Sequence, residues 1–185
     1  MARSVLGELC EVGVTRARVY EELAGVLERR ATPFVRENIE ERINPFLIMP
    51  KCRSIIAVAV SMESVPAGEE YRIWLRDRLK ELDLGKVRVD RGELLERHIA
   101  WQAGLGWFGR NNMLFNPRFG NRCFIGLILT ERECDEYGEP LESGCDGCLE
   151  CVRRCPTGAL GEFDLDAEKC VGLGCEKCFC LKPTA

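Results

Sequence analysis

The chain has 185 residues, with 26 Lys and Arg against 30 Asp and Glu, a net charge of −4, and 46% of its residues are hydrophobic. That is enough for one core-bearing domain and a small module, and the acidic balance excludes the broad basic footprint of a non-specific nucleic-acid binder. Arg3, Glu8 and Glu11 interrupt the N-terminus where a signal peptide would be apolar, and the longest apolar run, around Ile55 to Met62, is too short to span a bilayer; the expectation is a soluble, cytoplasmic protein without a membrane partner.

In chain order, the first 50 residues read as helical. Thr15 is placed to cap a helix with Val19, Leu23, Val26 and Leu27 on one face. Pro33 closes or restarts it, and a further helix through Val35 and Ile39 ends before Pro45. Ser54–Met62 is β-branched and apolar on both faces, as a covered central strand is. Pro66 and Gly68 mark a loop. Tyr71, Trp74, Leu75, Leu79 and Leu82 return to helical spacing, with Gly85 as a C′ residue. A short strand follows over 86–90, then a helix over 91–103 that packs Leu94, Leu95 and Ile99. The run A-G-L-G-W-F-G-R-N-N over 103–112 comes next, then a turn at 117–120 and an apolar strand over 123–129. Residues 130–144 are charged and read as a linker.

The linker leads into C-D-G-C-L-E-C-V-R-R-C-P: Cys145, Cys148, Cys151 and Cys155, with Pro156 directly after. The spacing C-x2-C-x2-C-x3-C-P is that of bacterial ferredoxins, in which the fourth Cys ligates the other cluster of a pair. The chain supplies a second half in Cys170, Cys175, Cys178 and Cys180. Zinc knuckles and disulfides are the competing readings, but a third Cys at x2 followed by C-P is not a zinc habit, and disulfides need an oxidising compartment. We expect two 4Fe–4S clusters, one on Cys145, Cys148, Cys151 and Cys180, the other on Cys155, Cys170, Cys175 and Cys178. Of the 12 Cys, this leaves Cys10, Cys52, Cys123 and Cys134 as small buried side chains.

Outside the cysteines, Gly104, Gly106 and Gly109 punctuate a loop with Trp107 and Phe108 between them. It follows a helix, so it is not a dinucleotide fingerprint. Either the glycines let backbone amides approach a large flat ligand, or they form a helix C-cap and a tight turn with core aromatics. Asp90 is either the head of a capping box, D-R-G-E, or a general acid at a strand end. His98, the sole His, reads as a structural residue. Arg110, Arg118 and Arg122 read as a solvated loop face.

The stretch V-D-R-G-E-L-L-E-R-H-I-A-W-Q-A-G-L-G-W-F-G-R-N-N, Val89 to Asn112, followed by the apolar strand and by C-P-T-G-A at 155–159, resembles the core of the epoxyqueuosine reductase family. Tyr71–Leu82 resembles the family's preceding helix, and the resemblance spans roughly residues 45–180. It implies an α+β fold, with a nitroreductase-like α/β cobalamin-binding domain over 1–133 and a ferredoxin-like two-cluster module over 134–185. It also implies reductive cleavage of the epoxide of epoxyqueuosine in tRNA, or of a related C–O or C–halogen bond. By position, Asp90 matches the family's proton donor. Gly104, Gly106, Trp107, Gly109, Arg110 and Asn111 match the cobalamin loop. The implied partners are tRNA and an electron donor such as ferredoxin or flavodoxin. The chain stops just after Cys180, where the family usually continues with helical repeats that help hold tRNA; a short form lacking them is the expectation, which counts against tRNA. The remaining alternative is an electron-transfer protein, or an activator that reduces a partner's corrinoid.

Overall fold

The computed structural model describes residues 5–30, 37–67, 70–89, 93–162 and 165–171. Four strands form an antiparallel sheet: β1 (Cys10–Arg16), β2 (Ser54–Ser61), β3 (Lys86–Arg88) and β6 (Cys123–Thr130), in the order β1-β2-β6-β3. β4 (Trp107–Phe108) and β5 (Leu114–Phe115) make a separate hairpin. The helices are α1 (Ala24–Arg30), α2 (Ile39–Ile43), α3 (Tyr71–Lys80), α4 (Glu96–Gln102) and α5 (Glu150–Arg153).

β2 is central because it is apolar on both faces, and the strand pleat sends successive side chains to opposite sides. Ile55, Ala57 and Ala59 join Leu127 and Leu129 of β6 under Ile99, Ala100 and Ala103, with Tyr20 and Ile43 in the same cluster. Val58, Val60 and Ile128 face the other way and meet Leu75, Leu79 and Leu82. The sheet is therefore covered by α4 and the N-terminal helices on one face and by α3 on the other. α3 comes close because β6 carries Gly126: a Cβ there would lie 2.4 Å from Leu79 Cδ1. Glu70 caps α3, its carboxylate accepting from Ile73 N at 3.2 Å.

Three expectations change. Residues 10–16 are an edge strand, not helix: Cys10 pairs with Val60 and Arg16 with Ser54, and Thr15 lies opposite Ile55 and caps nothing. The sheet edge supplies backbone partners that outweigh a weak helical pattern. Gly85 does not end α3. The left-handed residue after it is Asp83 (φ 50), and Gly85 is required because a Cβ would lie 2.0 Å from Leu129 O. α4 starts only at Glu96, with Leu95 in the capping position. The helical end before Pro45 holds, and Asn44 caps the turn that follows by accepting from Phe46 N at 3.1 Å.

Among the described residues, no helix is long and apolar enough to cross a membrane.

Candidate functional site

Ala103 ends α4, and the first glycine of the loop closes the helix. Gly104 takes φ +76, its N–H donates to Trp101 O at 3.0 Å, and Leu105 N donates to Ala100 O at 3.0 Å. This pair of bonds is a Schellman motif, which favours glycine at that point. A Cβ on Gly106 would lie 2.0 Å from Phe115 O, and one on Gly109 would lie 2.3 Å from the Phe115 ring. The bare backbones of Gly106 and Gly109 are thus occupied by the β4–β5 hairpin itself. Trp107 and Phe108 stay half-buried. Asn111 is buried and accepts from Met113 N at 3.2 Å; Asn116, also buried, donates to Leu105 O at 2.7 Å. Both amides hold the loop's shape. Sequence reasoning missed Asn116, although an Asn before Pro117 at a turn is a recognisable signal.

Much of the stretch 130–144, read as a linker, forms with Cys145 a strap across this loop, over 132–145. Ser54 Oγ donates to Arg132 O at 2.8 Å and pairs with the Tyr137 hydroxyl at 3.1 Å. Arg16 stacks on the Tyr137 ring at 4.1 Å. Gly138 N donates to Val14 O at 2.8 Å, and Trp101 Nε1 donates to Leu141 O at 3.1 Å. Gly144 lies against Trp107, where a Cβ would be 2.9 Å from the ring. Ser143 Oγ donates to Phe108 O at 3.0 Å and accepts from Cys145 N at 3.4 Å. The strap therefore delivers the first cysteine of the run directly to the hairpin.

The cysteine run carries left-handed backbone between its cysteines. Gly147 (φ 84) and Leu149 (φ 55) are both left-handed, between Cys145 and Cys148 and between Cys148 and Cys151. Left-handed residues interleaved with right-handed ones turn successive N–H groups inward, a feature of iron–sulfur loops. For Leu149 the conformation costs energy that a non-glycine residue rarely bears. Burial pushes the Cys151 thiol up, backbone hydrogen bonds oppose this, and the neighbouring Cys145 and Cys148 push it further up. At Cys155 burial also raises the thiol, but hydrogen bonds from the backbone at Leu160, Thr157 and Ala159 and from the Thr157 hydroxyl outweigh it, and the net shift is downward. Closely spaced cysteines and donors that stabilise thiolates suit an iron–sulfur cluster, which is anionic once its thiolates are counted. Asp166 N donates to Ala159 O at 2.9 Å, a bridge joins Leu160 to Leu165, and Cys170 N donates to Asp166 O at 3.2 Å. Among the described residues, no group of three or more His, Cys, Asp or Glu is placed to hold a metal ion. Cys175, Cys178 and Cys180 lie outside the described residues, so each expected ligand set is described only in part.

Asp90 also lies outside the described residues. The capping-box reading loses its helix, because α4 is capped at Leu95 and Glu93 forms an ion pair with Arg88 instead. His98 lies between Tyr20 and Trp101, at ring distances of 5.4 and 5.2 Å. Burial lowers its pKa to about 4, partly offset by Glu22. Cys10 and Cys52 are buried, and burial pushes the half-buried Cys123 thiol up to about 11. Cys134 is half-buried in the strap, its N–H donating to the Tyr137 hydroxyl at 3.2 Å.

Arg110, read with the cobalamin loop, forms an ion pair with Glu162, beyond the cysteine run. Arg118 reaches back to Glu11 at 3.1 Å and to Glu8 O at 2.7 Å.

No family model matches the chain. The epoxyqueuosine reductase of Bacillus cereus is 32% identical over 196 residues, covering 87% of this chain and 51% of that protein. Among solved structures, an epoxyqueuosine reductase bound to an epoxyqueuosine-modified tRNA-Tyr stem loop superposes with a TM-score of 0.80 at 28% identity, covering 91% of this chain and 53% of the other. That of Bacillus subtilis, solved with its catalytic aspartate loop swung out of the active site, gives a TM-score of 0.75 at 28% identity, covering 91% and 53%. A reductive dehalogenase described with a mechanism for B12-dependent dehalogenation shares the fold at a TM-score of 0.52 and 17% identity, covering 86% and 26%. The chain spans about half the length of the curated relatives it matches. By sequence and by fold, this chain is similar to epoxyqueuosine reductases over that shared half.

Proposed function

We propose that the chain is a cobalamin- and iron–sulfur-dependent reductase of the epoxyqueuosine type, with a nitroreductase-like domain over 1–133 and a ferredoxin-like module over 134–185, working in the cytoplasm. The observation that carries the proposal is Ser143, whose hydroxyl ties the aromatic hairpin strand at Phe108 to the first ligand of the cysteine run at Cys145. A redox group on each side would then share one rigid seam.

Cys145, Cys148, Cys151 and Cys180 would hold one 4Fe–4S cluster, and Cys155, Cys170, Cys175 and Cys178 the other. Because Phe115 occupies the bare backbone of Gly106 and Gly109, the half-buried Trp107 and Phe108 are the residues that would lie against cobalamin. When bound, these groups supply electrons, delivered by a ferredoxin or flavodoxin, for breaking the C–O bond of epoxyqueuosine in tRNA. The chain's own residues orient the groups, exclude water and hold a proton. Asp90 would carry one of the two protons the reaction consumes and give it to the departing epoxide oxygen, which leaves as water as the two electrons form the alkene. A carboxyl beside an apolar ring system keeps its proton near neutral pH, because desolvation disfavours the anion. The catalytic aspartate loop of the Bacillus subtilis relative supports an aspartate on the β3–α4 connection.

The test is anaerobic titration with cobalamin, followed by turnover of an epoxyqueuosine stem loop with a chemical reductant. Saturable binding that weakens in Trp107→Ala, together with queuosine formation, is expected. Clusters without cobalamin binding or turnover would overturn the reductase and leave an electron-transfer protein.

A further inference from the structure

Arg110 follows the last glycine of the loop, so the sequence groups it with the cobalamin side. Its side chain runs the other way. The guanidinium pairs with Glu162, and a Cβ on Gly147 would lie 3.9 Å from Arg110 Nη2. Gly147 is the left-handed residue between Cys145 and Cys148. Arg110 thus reaches from the hairpin across to the cysteine loop, beside Gly147 between the first two cysteines and to Glu162 beyond Cys155. Its side chain is 21% exposed, whereas Glu162 is 60% exposed. Arg153 also touches the loop, donating to Cys148 O at 2.6 Å, but it belongs to the module itself, pairs with Glu150 and is 61% exposed. A mostly buried cation is screened less than an exposed one.

We infer that Arg110 is a positioning residue of the first cluster, fixing the cysteine loop to the hairpin and setting with its charge how readily that cluster takes an electron. The inference rests on the proposal that Cys145, Cys148 and Cys151 hold a cluster. Reduction adds one electron, taken from the donor, and no bond forms or breaks. It makes the site more negative, so a nearby cation favours it and a nearby anion opposes it. Net charge and hydrogen bonds around the sulfurs are the levers that set such potentials. Glu162 holds the guanidinium in place and offsets part of its charge.

The opposing charges make the test one of sign. Iron content and potentials, from spectroelectrochemical titration of the anaerobic protein with dithionite, are compared for wild type, Arg110→Gln, Arg110→Lys and Glu162→Gln. Arg110→Gln is expected to keep its iron while the first cluster becomes roughly tenfold harder to reduce, about 59 mV lower for a one-electron couple. Arg110→Lys should recover most of that shift. Glu162→Gln should move the potential the opposite way, by less, because its carboxylate is mostly in water. If Arg110→Gln loses its cluster, the sign of the Glu162→Gln shift decides. Unchanged potentials, or shifts of the same sign in Arg110→Gln and Glu162→Gln, would overturn the inference and leave the pair a tether. A wild type without iron would overturn the cluster assignment beneath it, a failure that iron analysis tells apart.

Discussion

Along β2 the chain buries Ile55, Ala57, Val58, Ala59 and Val60 completely, and α3 adds Leu75 and Leu79. From Cys145 to Val171, by contrast, Ala159 and Leu160 are the only buried residues among those described, and α5 buries none. The first region has an apolar core of its own. The second is too small and too polar to fold on burial alone, and modules of that kind need covalent or metal staples. Cys145, Cys148, Cys151 and Cys155 hold free thiols rather than disulfides, so in this account the staple is iron.

Removing the iron should therefore split the molecule. Chelation under anaerobic conditions is expected to abolish amide protection across 145–170 while β2 and β6 keep theirs in hydrogen exchange. Equal loss in both regions would erase the distinction. The reciprocal perturbation is Leu79→Ala, which empties the space that Gly126 opens for α3. It should cost about 2–5 kcal/mol in denaturant unfolding of the sheet domain and leave the iron content unchanged.

The sheet was largely legible because its signals are local. β2 and β6 read as strands since an unbroken apolar run bounded by turn residues admits few other structures, and α3 showed regular helical spacing. β1 was not legible. Its sequence C-E-V-G-V-T-R buries only Cys10 and Thr15, and what makes it a strand is a partner strand whose residues lie 38 to 50 positions away. The seam was half legible. Cysteine spacing announces iron without any structure, and the glycines announce a tight turn. That Phe115 fills the bare backbone, that residues 132–145 are a strap, and that Arg110 points at the module are all long-range facts. Asp90, Cys175, Cys178 and Cys180 lie outside the described residues, and their proposed roles rest on sequence reasoning alone.

Protonation offers a way to stress the sheet domain alone. His98 is buried neutral, with a pKa of about 4 against an ordinary 6.5; burial is the main cause, with Glu22 raising it and Arg18 lowering it. The unfolded chain binds the proton first. The stabilisation is whole above about pH 6.5 and is lost as pH falls toward 4, by about 3 kcal/mol in total. His98→Gln should remove that component from the pH dependence of unfolding, which urea titrations of both proteins at pH 7 and pH 4.5 would compare. Identical pH dependence in the two would contradict the buried neutral imidazole.

Asp90→Asn separates chemistry from architecture. The fold, the iron and cobalamin binding should persist while turnover falls roughly 10²-fold, a loss comparable to one good proton donor. Activity within a few-fold of wild type would rule the role out. Trp101→Phe is the mildest of these changes, deleting the indole bond to Leu141 O. It should cost about 0.5–1.5 kcal/mol, with faster hydrogen exchange along 138–145 than along β2.

The most direct test of the central claim is metal analysis of anaerobically purified protein, paired with its paramagnetic resonance spectrum after reduction. Two 4Fe–4S clusters on eight cysteines require about eight irons per chain, with two interacting paramagnetic centres. Cys180→Ser should lose or convert one cluster, and Cys134→Ser, in the strap, should lose none. Stoichiometric zinc with little iron would contradict the account.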